Sequence, residues 1–415
     1  MTQTHPVTGY RSTVQTFFDF YRSRGHEPLP GESLIAPPGD PVYFTTSGMH
    51  HLTPYLEGRE HPQGRRLVGL QRCLRTTDLD EVGDPTHLTV FEMLGTWSLG
   101  DYGGGQSLRW GLELLRDGFG LSPRSLHATV FGGDGSLGPD TASLEVWQGL
   151  GVPVELTYGG ENWWSNGPTG PCGPDSEIFV WTGSGDPSGT PTTDSRWVEV
   201  WNHVMMRHRR HEDGGLSTLP QPNVDTGLGL DRLLTILQGT DSVYDCDVFV
   251  PWRQVVPRLW RLEEREQRIV MDHLRSCIAI IGDCVLPASG GRGYVLRRLI
   301  RRVLTILWRD GTPTCTLEDL PLELFADTLE HFGQGHYPGG AQTVRSVVLD
   351  EERRFVGLCE RGRRVLDRMS GSMLDEQDYR FLHETHGLPR EIVDLLRGRE
   401  NQSSELIQSP TASVI

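Results

Sequence analysis

The sequence has few cysteines, and none of them are arranged in a way that indicates a disulfide framework. The seven cysteines among 415 residues include no Cys-x-x-Cys pair. Such sparse thiols are typical of a reduced, intracellular protein, and they argue against a disulfide-rich secreted domain or a zinc knuckle. We therefore expect neither disulfide bonds nor a structural zinc ion.

Long apolar runs are also missing. No stretch approaches the roughly 18 consecutive apolar residues of a membrane-spanning helix, and the first residues show no basic segment followed by an apolar core. We expect a cytoplasmic protein without a membrane partner.

Positive charge is scarce as well. The chain has 39 basic against 55 acidic residues, which gives a formal net charge of −16. Nucleic acids are bound largely by neutralising their phosphates, so binding across the whole surface is excluded, and any contact with RNA needs a local basic face.

Two domains and a tail are predicted from the patterning. Residues 1–248 combine short β-prone runs with glycine- and proline-rich turns, which predicts an α+β domain dominated by a sheet. Helical periodicity takes over afterwards and predicts an all-helical domain over residues 249–400. The polar stretch 401–415 is predicted to be a flexible tail.

The stretch VDTGLGLDR, residues 224–232, combines a carboxylate, two alternating glycines and an arginine ahead of an apolar run. It does not fit a dinucleotide loop, because Arg232 stands where the third glycine belongs, and no Gly-Lys-Ser/Thr motif for a P-loop is present. Two interpretations remain. The stretch is either a turn from a strand into a helix, where bare backbone lets a small ligand approach, or a plain glycine turn.

Four other segments favour the first interpretation, a turn that a small ligand can approach. They are QRCLRTTDLDEV (71–82), VFEMLGTWSLGDY (90–102), ENWWSNGPTGPCGPDSEIFVW (161–181) and WVEVWNHVMM (197–206). Their order and wording resemble alanyl-tRNA synthetase, a class II aminoacyl-tRNA synthetase, over roughly residues 10–397. The resemblance implies an antiparallel sheet flanked by helices, followed by a helical tRNA-recognition domain. It also implies condensation of ATP and alanine, with Mg²⁺, to alanyl adenylate.

The resemblance also implies site residues. Arg75 and Arg232 match the arginines of two class II motifs and would meet the phosphates and adenine. A planar, bidentate cation suits the charge that builds at phosphorus. The remaining ATP-binding residues are expected to be Phe91, Glu92, Met93, Trp97 and Gly229. Alanine would be held by Trp164, Asn202, Asp225 and Gly227. Glu199 is a candidate magnesium ligand, with an ordinary acidic residue on an edge strand as the alternative.

Several positions depart from the family pattern. The loop after Arg75 is short, Asp175 replaces a cysteine, and the two readers of the G:U pair in the tRNA acceptor stem are replaced by Ser289 and Glu391. The arginines of the helix RGYVLRRLIRRVL, including Arg297 and Arg298, would bind phosphates or form a solvated face. Ser289, Arg297, Arg298 and Glu391 are therefore the candidates for contacting the acceptor of the alanyl group.

Three functions stay open, and the altered acceptor-side residues, the short loop after Arg75 and the net negative charge favour the first. The first is a truncated, alanyl-tRNA synthetase-like ligase that activates alanine, or a similarly small amino acid, and passes it to a small-molecule amine or a carrier, as in amide formation in specialised metabolism. The second is an alanine–tRNA ligase, and the third is a non-catalytic relative with a binding or regulatory role. We expect no editing domain, and the oligomeric state, a homodimer included, stays open.

Overall fold

Two compact units divide the chain in the computed structural model, which describes residues 8–37, 42–165, 167–309, 311–369 and 374–397. The first unit contains the described residues up to Arg75 together with Phe91–Val248. The second contains Thr76–Val90 and the described residues from Phe249 onward. The chain therefore divides where the sequence pattern changes, but the second unit also takes a stretch from inside the first. The predicted tail, 401–415, lies outside the described residues.

A nine-stranded sheet forms the centre of the first unit. Its strands are β1 (Glu27–Leu29), β2 (Arg66–Leu74), β3 (Val90–Leu99), β4 (Leu126–Phe131), β5 (Val154–Thr157), β6 (Trp163–Ser165), β7 (Gly170–Trp181), β8 (Trp197–Arg210) and β9 (Leu216–Gly229). The order is β1-β2-β3-β9-β8-β7-β4-β5, with β6 beside β7. The strands from β3 to β4 in this order are antiparallel neighbours, whereas β1 pairs with β2 and β4 with β5 in parallel. The predicted antiparallel sheet is confirmed, with parallel pairs at both ends.

Five α-helices are seen in the described part of the first unit. They are α1 (Tyr10–Arg22), α2 (Thr53–Leu56), α3 (Gly104–Glu113), α4 (Thr141–Leu150) and α5 (Leu230–Gln238). One face of the sheet is buried under them. Leu94, Trp201 and Leu228, on three adjacent strands, join Phe17 and Tyr21 of α1 in one apolar cluster. Because side chains alternate along a strand, the residues between them point to the other face, and that face carries the candidate site.

The second unit is helical in its described part. Its helices are α6 (Val250–Leu259), α7 (Glu264–Gly282), α8 (Gly291–Leu307), α9 (Leu322–His331), α10 (Gly340–Arg368), α11 (Glu376–His386) and α12 (Arg390–Leu396). Helix α7 is buried almost continuously from Ile269 to Ile281, so the other helices pack around it. The predicted helical region is confirmed.

Candidate active site

Four neighbouring strands, β3, β9, β8 and β7, build the floor of the candidate site. Trp97 stands opposite Asp225, and Gly95 opposite Gly227, across β3 and β9. Asn202 on β8 stands opposite the same Gly227. The residues that share this face are Met93, Gly95, Trp97, Asp175, Glu177, Asn202, Val204, Asp225, Gly227 and Gly229. The register thus unites residues up to about 130 positions apart in the sequence on one surface.

The glycines of this floor make room for large side chains. A Cβ at Gly227 would lie 2.8 Å from Sδ of Met93, and a Cβ at Gly95 would lie 2.5 Å from Cζ2 of Trp97. The indole of Trp97 also runs along Gly48 and Gly69, so it lies flat against the sheet and is 2% exposed. Met93 and Trp97, which sequence reasoning placed with ATP, therefore lie beside Gly227 and Asp225.

Asp225 is a buried carboxylate without a charged partner. It is 6% exposed, and no ion pair reaches it within the described residues. Burial raises its pKa to about 7, because a carboxylate loses hydration in a low-dielectric setting. A group of this kind favours a cationic ligand, since the incoming charge would offset the cost of burial.

Asn202 supplies a second acceptor on the same floor. Its Oδ1 is buried and has no hydrogen-bond partner, while its Nδ2 donates to Oδ2 of Asp175 at 3.3 Å. Buried polar atoms are normally hydrogen-bonded, so an orphaned oxygen beside Asp225 indicates that a donor is missing. Trp164 is half-buried and packs on the apolar cluster that includes Trp97 and Val204.

Arg75 and Phe91 meet at the neighbouring strand ends. The Arg75 guanidinium lies 5.2 Å from the centre of the Phe91 ring, and its Nε donates to the carbonyl of Thr46 at 3.2 Å. No carboxylate pairs with Arg75 in the described part of the chain. A half-buried guanidinium without a carboxylate partner, held on an aromatic ring, is suited to an anionic ligand.

Glu199 and Arg232 were predicted to have separate roles, but they form an ion pair. Nη1 of Arg232, in the first turn of α5, lies 3.0 Å from Oε2 of Glu199. Both side chains are partly exposed, so the pair is accessible to a ligand. Gly229 immediately precedes α5, and a Cβ there would meet nothing nearer than 3.8 Å.

Glu92 serves the fold. It is 3% exposed, its Oε1 accepts from the Tyr10 hydroxyl at 2.9 Å, and its backbone N–H donates to Asp231 at 3.1 Å. The Glu92 side chain is thus held inside the protein by α1, and the expected part of Glu92 in ATP binding, through backbone hydrogen bonds at the adenine edge, stays a prediction.

Two further carboxyl groups lie near Asn202: Asp175, which sequence reasoning noted only as a departure from the family pattern, and Glu177, which it missed. Burial raises the pKa of Asp175 to about 7. Burial, together with the neighbouring Glu199 and Asp175, also raises the pKa of Glu177 well above its ordinary value. Both lie in strand β7, and acidic residues inside an otherwise buried strand were the signal that could have found them.

The acceptor-side candidates separate into exposed and internally paired residues. Ser289, just before α8, and Glu391, in the first turn of α12, are exposed. Arg297 instead lies 3.4 Å from Oε1 of the fully buried Glu351, and Arg301 lies 2.7 Å from the same oxygen. Arg298 is half-buried. Arg297 and Arg301 therefore hold a buried glutamate instead of forming a purely solvated face, and the predicted phosphate binding by Arg297 and Arg298 stays a prediction.

Comparisons with known proteins identify the family. The family model described as tRNA synthetases class II (A) matches residues 12–406. The chain belongs to this family. It is 36% identical over 408 residues to an alanine–tRNA ligase of Borrelia hermsii and 37% identical over 409 residues to one of Treponema pallidum, each match covering 92% of this chain. The resemblance predicted from the motifs is confirmed.

The matched relatives are longer than this chain. The chain covers 68% and 67% of the two relatives above, and 46% of an alanine–tRNA ligase of Rubrobacter xylanophilus that is 37% identical over 408 residues. Among solved structures, a pyrrolysyl tRNA synthetase of Desulfitobacterium hafniense matches 58% of this chain and 73% of its own, with 14% identity and a TM-score of 0.33. That likeness is too weak to support an argument.

The described residues contain neither a membrane-spanning helix nor a ready-made cluster of metal ligands. No helix among them is long and apolar enough to cross a membrane. No group of three or more His, Cys, Asp or Glu side chains in that part of the chain is arranged to hold a metal ion.

Proposed function

We propose that this synthetase-family chain activates alanine with ATP to form alanyl adenylate. The observation that carries the proposal is the pair of buried acceptors around Gly227, namely the Asp225 carboxylate and the orphaned Oδ1 of Asn202. An α-ammonium group has three donors and one positive charge, so it would satisfy both acceptors and offset the buried charge.

The size of the pocket favours a small side chain. Met93 fills the space above Gly227, and Trp97 closes the floor beside Asp225. A methyl group fits such a restricted space, whereas discrimination against serine or glycine would be weak, because one methylene or hydroxyl is worth only about 1–3 kcal/mol in a pocket.

Arg75 and Phe91 are proposed to bind ATP. An oxygen of the alanine carboxylate attacks the α-phosphorus, the bond from that phosphorus to pyrophosphate breaks, and alanyl adenylate and pyrophosphate form. The Arg75 guanidinium would stabilise the charge that builds on the phosphoryl oxygens, and the Phe91 ring would stack on adenine. Arg232 and Glu199 would separate on binding, so that the arginine meets nucleotide and the glutamate meets Mg²⁺ bound to the phosphates.

The acceptor we propose to test first is tRNA. Sequence reasoning favoured a small-molecule amine, but relatives named alanine–tRNA ligase match this chain over nearly its whole length. The exposed Ser289 and Glu391 would then approach the acceptor stem.

A second acceptor is supported by one observation. Arg297 and Arg301 pair with Glu351, so helix α8 offers fewer cations to phosphates than its sequence indicates. A small-molecule or carrier amine needs no such basic face, and it remains the second candidate.

Amino-acid-dependent exchange of pyrophosphate into ATP tests the activation step. The wild type should exchange with alanine, and Asp225→Ala should abolish the exchange. Glu360→Ala removes an exposed carboxylate of α10 and is the matched control, which should keep wild-type exchange. Normal exchange by Asp225→Ala would contradict the proposal, and no exchange by the wild type over a panel of amino acids would favour a non-catalytic role.

Product analysis separates the acceptors. The chain is supplied with ATP, alanine and a tRNA bearing a G:U acceptor pair, and in parallel with candidate amines. Alanyl-tRNA formation that drops when G:U is changed to G:C supports the first acceptor, whereas an alanyl amide detected by mass spectrometry without tRNA charging supports the second.

A further inference from the structure

A chain of four hydrogen-bonding side chains leads from β5, the last strand of the sheet, to the candidate site. Oγ1 of Thr157 donates to Oδ1 of Asn162 at 2.5 Å, and Nδ2 of Asn162 donates to Oδ1 of Asp175 at 2.7 Å. Nδ2 of Asn202 donates to the other carboxylate oxygen at 3.3 Å. The far end of this chain is Oδ1 of Asn202, which is buried and has no partner.

Asp175 sets the direction of these bonds. An ionised carboxylate accepts hydrogen bonds and donates none, so both neighbouring amides must turn their NH₂ groups toward it. Asn202 therefore has to turn its carbonyl oxygen the other way. An amide has nearly the same shape in either orientation, so its own packing would not fix that choice.

The surroundings indicate that this arrangement is built in. Asp175 is 3% exposed and Asn162 is 5% exposed. Asn162 has a φ of 52°, in the left-handed region that few residues other than glycine adopt, and its carbonyl accepts the backbone N–H of Asp175 at 2.8 Å. The two side chains are thus locked to each other by a backbone bond as well as a side-chain bond.

We propose that Asp175 is a positioning residue that orients the Asn202 amide so that its oxygen faces the ammonium group of the amino acid. This inference rests on the proposed function and adds a specificity device to it. Asp225 supplies the charge, and Asp175 ensures that the second group beside the substrate is an acceptor. A site with the reversed amide would present NH₂ to an ammonium and repel it.

The isosteric substitution Asp175→Asn should reverse the amide. Nδ2 of Asn162 would still need an acceptor, so the oxygen of the new amide would face Asn162 and its NH₂ would face Asn202. Asn202 would then turn its oxygen toward position 175 and its NH₂ toward the substrate. The lost hydrogen bond is one to a charged group, for which we expect a rise in the alanine KM of about 10- to 100-fold.

The double swap Asn162→Asp/Asp175→Asn should restore the original orientation of the Asn202 amide. The carboxylate now at position 162 would accept from Thr157 and from the amide at position 175, whose oxygen would be left to accept from Asn202. Asp and Asn both tolerate a positive φ, so the exchange suits the backbone. The single variant Asn162→Asp places two carboxylates against each other and should not bind alanine better than wild type.

The experiment measures pyrophosphate exchange at pH 8, where Asp175 is ionised, with KM for alanine and for ATP determined separately, and alanine binding by calorimetry. We expect Asp175→Asn to raise only the alanine KM, and the double swap to return it to within about 3-fold of wild type. An alanine KM within 2-fold of wild type in Asp175→Asn, or a double swap no better than the single variant, would overturn the inference.

Thermal melting controls for folding. If Asp175→Asn does not fold, the double swap alone decides: near-wild-type alanine KM supports the inference, and a raised one overturns it. Absence of both exchange and alanine binding in the wild type would overturn the proposed function and this inference together. Active variants with unchanged alanine KM would overturn the inference alone.

Discussion

Asp272 and Glu351 of the helical unit differ from Asp225 of the sheet unit in how a buried carboxyl group is satisfied. In the helical unit, Asp272 is 1% exposed, and its two oxygens accept from the N–H and hydroxyl of Thr89 at 2.8 and 2.5 Å. Glu351 is fully buried and pairs with Arg297 and Arg301. In the sheet unit, Asp225 is just as buried and has no cation, and its pKa is raised to about 7.

This difference distinguishes carboxylates that stabilise the fold from a carboxylate suited to binding a ligand. A carboxylate whose bonds are all made inside the protein holds helices and loops together, and its removal would leave donors without acceptors. A carboxylate buried without a cation lowers stability in the free protein, so it persists where a ligand supplies the missing charge. Four predictions test the comparison, from the largest expected effect to the smallest.

Asp225→Asn should separate activity from stability. It keeps the shape of the side chain but removes the charge that would pair with an ammonium group, so we expect kcat/KM for alanine to fall by at least about 100-fold. The free energy of unfolding should stay the same or rise, because a buried charge has been removed. Exchange kinetics and thermal melting measure the two effects, and a destabilised variant would place Asp225 with the structural carboxylates.

Asp272→Ala should lower stability, whereas Asp225→Asn lowers activity. The N–H and hydroxyl of Thr89 would lose their acceptor inside the protein, which costs about 3 kcal/mol in the stability of the helical unit. Hydrogen exchange across residues 76–90 and 264–282 would report the loss. Unchanged protection in both stretches would show that these bonds contribute little.

The pH dependence of stability should differ between wild type and Asp225→Asn. The folded-state pKa of Asp225, about 7, is above its unfolded value, so the stability it contributes is present below about pH 4 and is lost as pH rises through 7. Asp225→Asn should therefore be more stable than wild type at pH 8, by on the order of 4 kcal/mol, and equal to it near pH 4.

Melting temperatures of the two proteins over pH 4 to 8 check this prediction. Asp175, whose pKa is also raised to about 7, is present in both and cancels in the difference. A gap that stays constant with pH would contradict the raised pKa of Asp225.

Gly227→Ala should have the smallest effect. The added Cβ would lie 2.8 Å from Sδ of Met93, a flexible side chain that can shift into the space of the substrate methyl. We expect the alanine KM to rise about 10-fold, with glycine activated relatively better. Gly149→Ala is a suitable comparison, since a Cβ at this position of α4 would have no neighbour within 4 Å, and it should leave the alanine KM unchanged.

The sequence predicted the family and the sheet because its motifs are long, ordered segments. It also brought Asp225, Gly227 and Asn202 together, on the resemblance alone. It did not predict the ion pair of Glu199 with Arg232 or the hydrogen bond from Tyr10 to Glu92. It also did not predict the ion pairs of Glu351 with Arg297 and Arg301. These partners lie 33 to 82 residues apart, and only register and helix packing decide which charges meet.

The segment Thr76–Val90 shows a further limit of pattern reading. As a short loop between two strands it gave no sign of grouping with helices that start near residue 250. In the fold, Nη1 of Arg302 donates to the carbonyl of Leu79 at 2.8 Å, and Thr89 is bound by Asp272. Contacts over such a distance leave no periodic trace in the sequence.

That segment makes the helical unit discontinuous along the chain. Cutting the polypeptide after Val248 would not release two self-sufficient halves, because the piece that retains the sheet would also carry away residues 76–90, among which Leu79 and Thr89 have hydrogen-bond partners in the other piece. Attempts to obtain a minimal activating fragment should therefore replace this inserted stretch as well as remove the helices, or co-express both pieces so that they can reassemble.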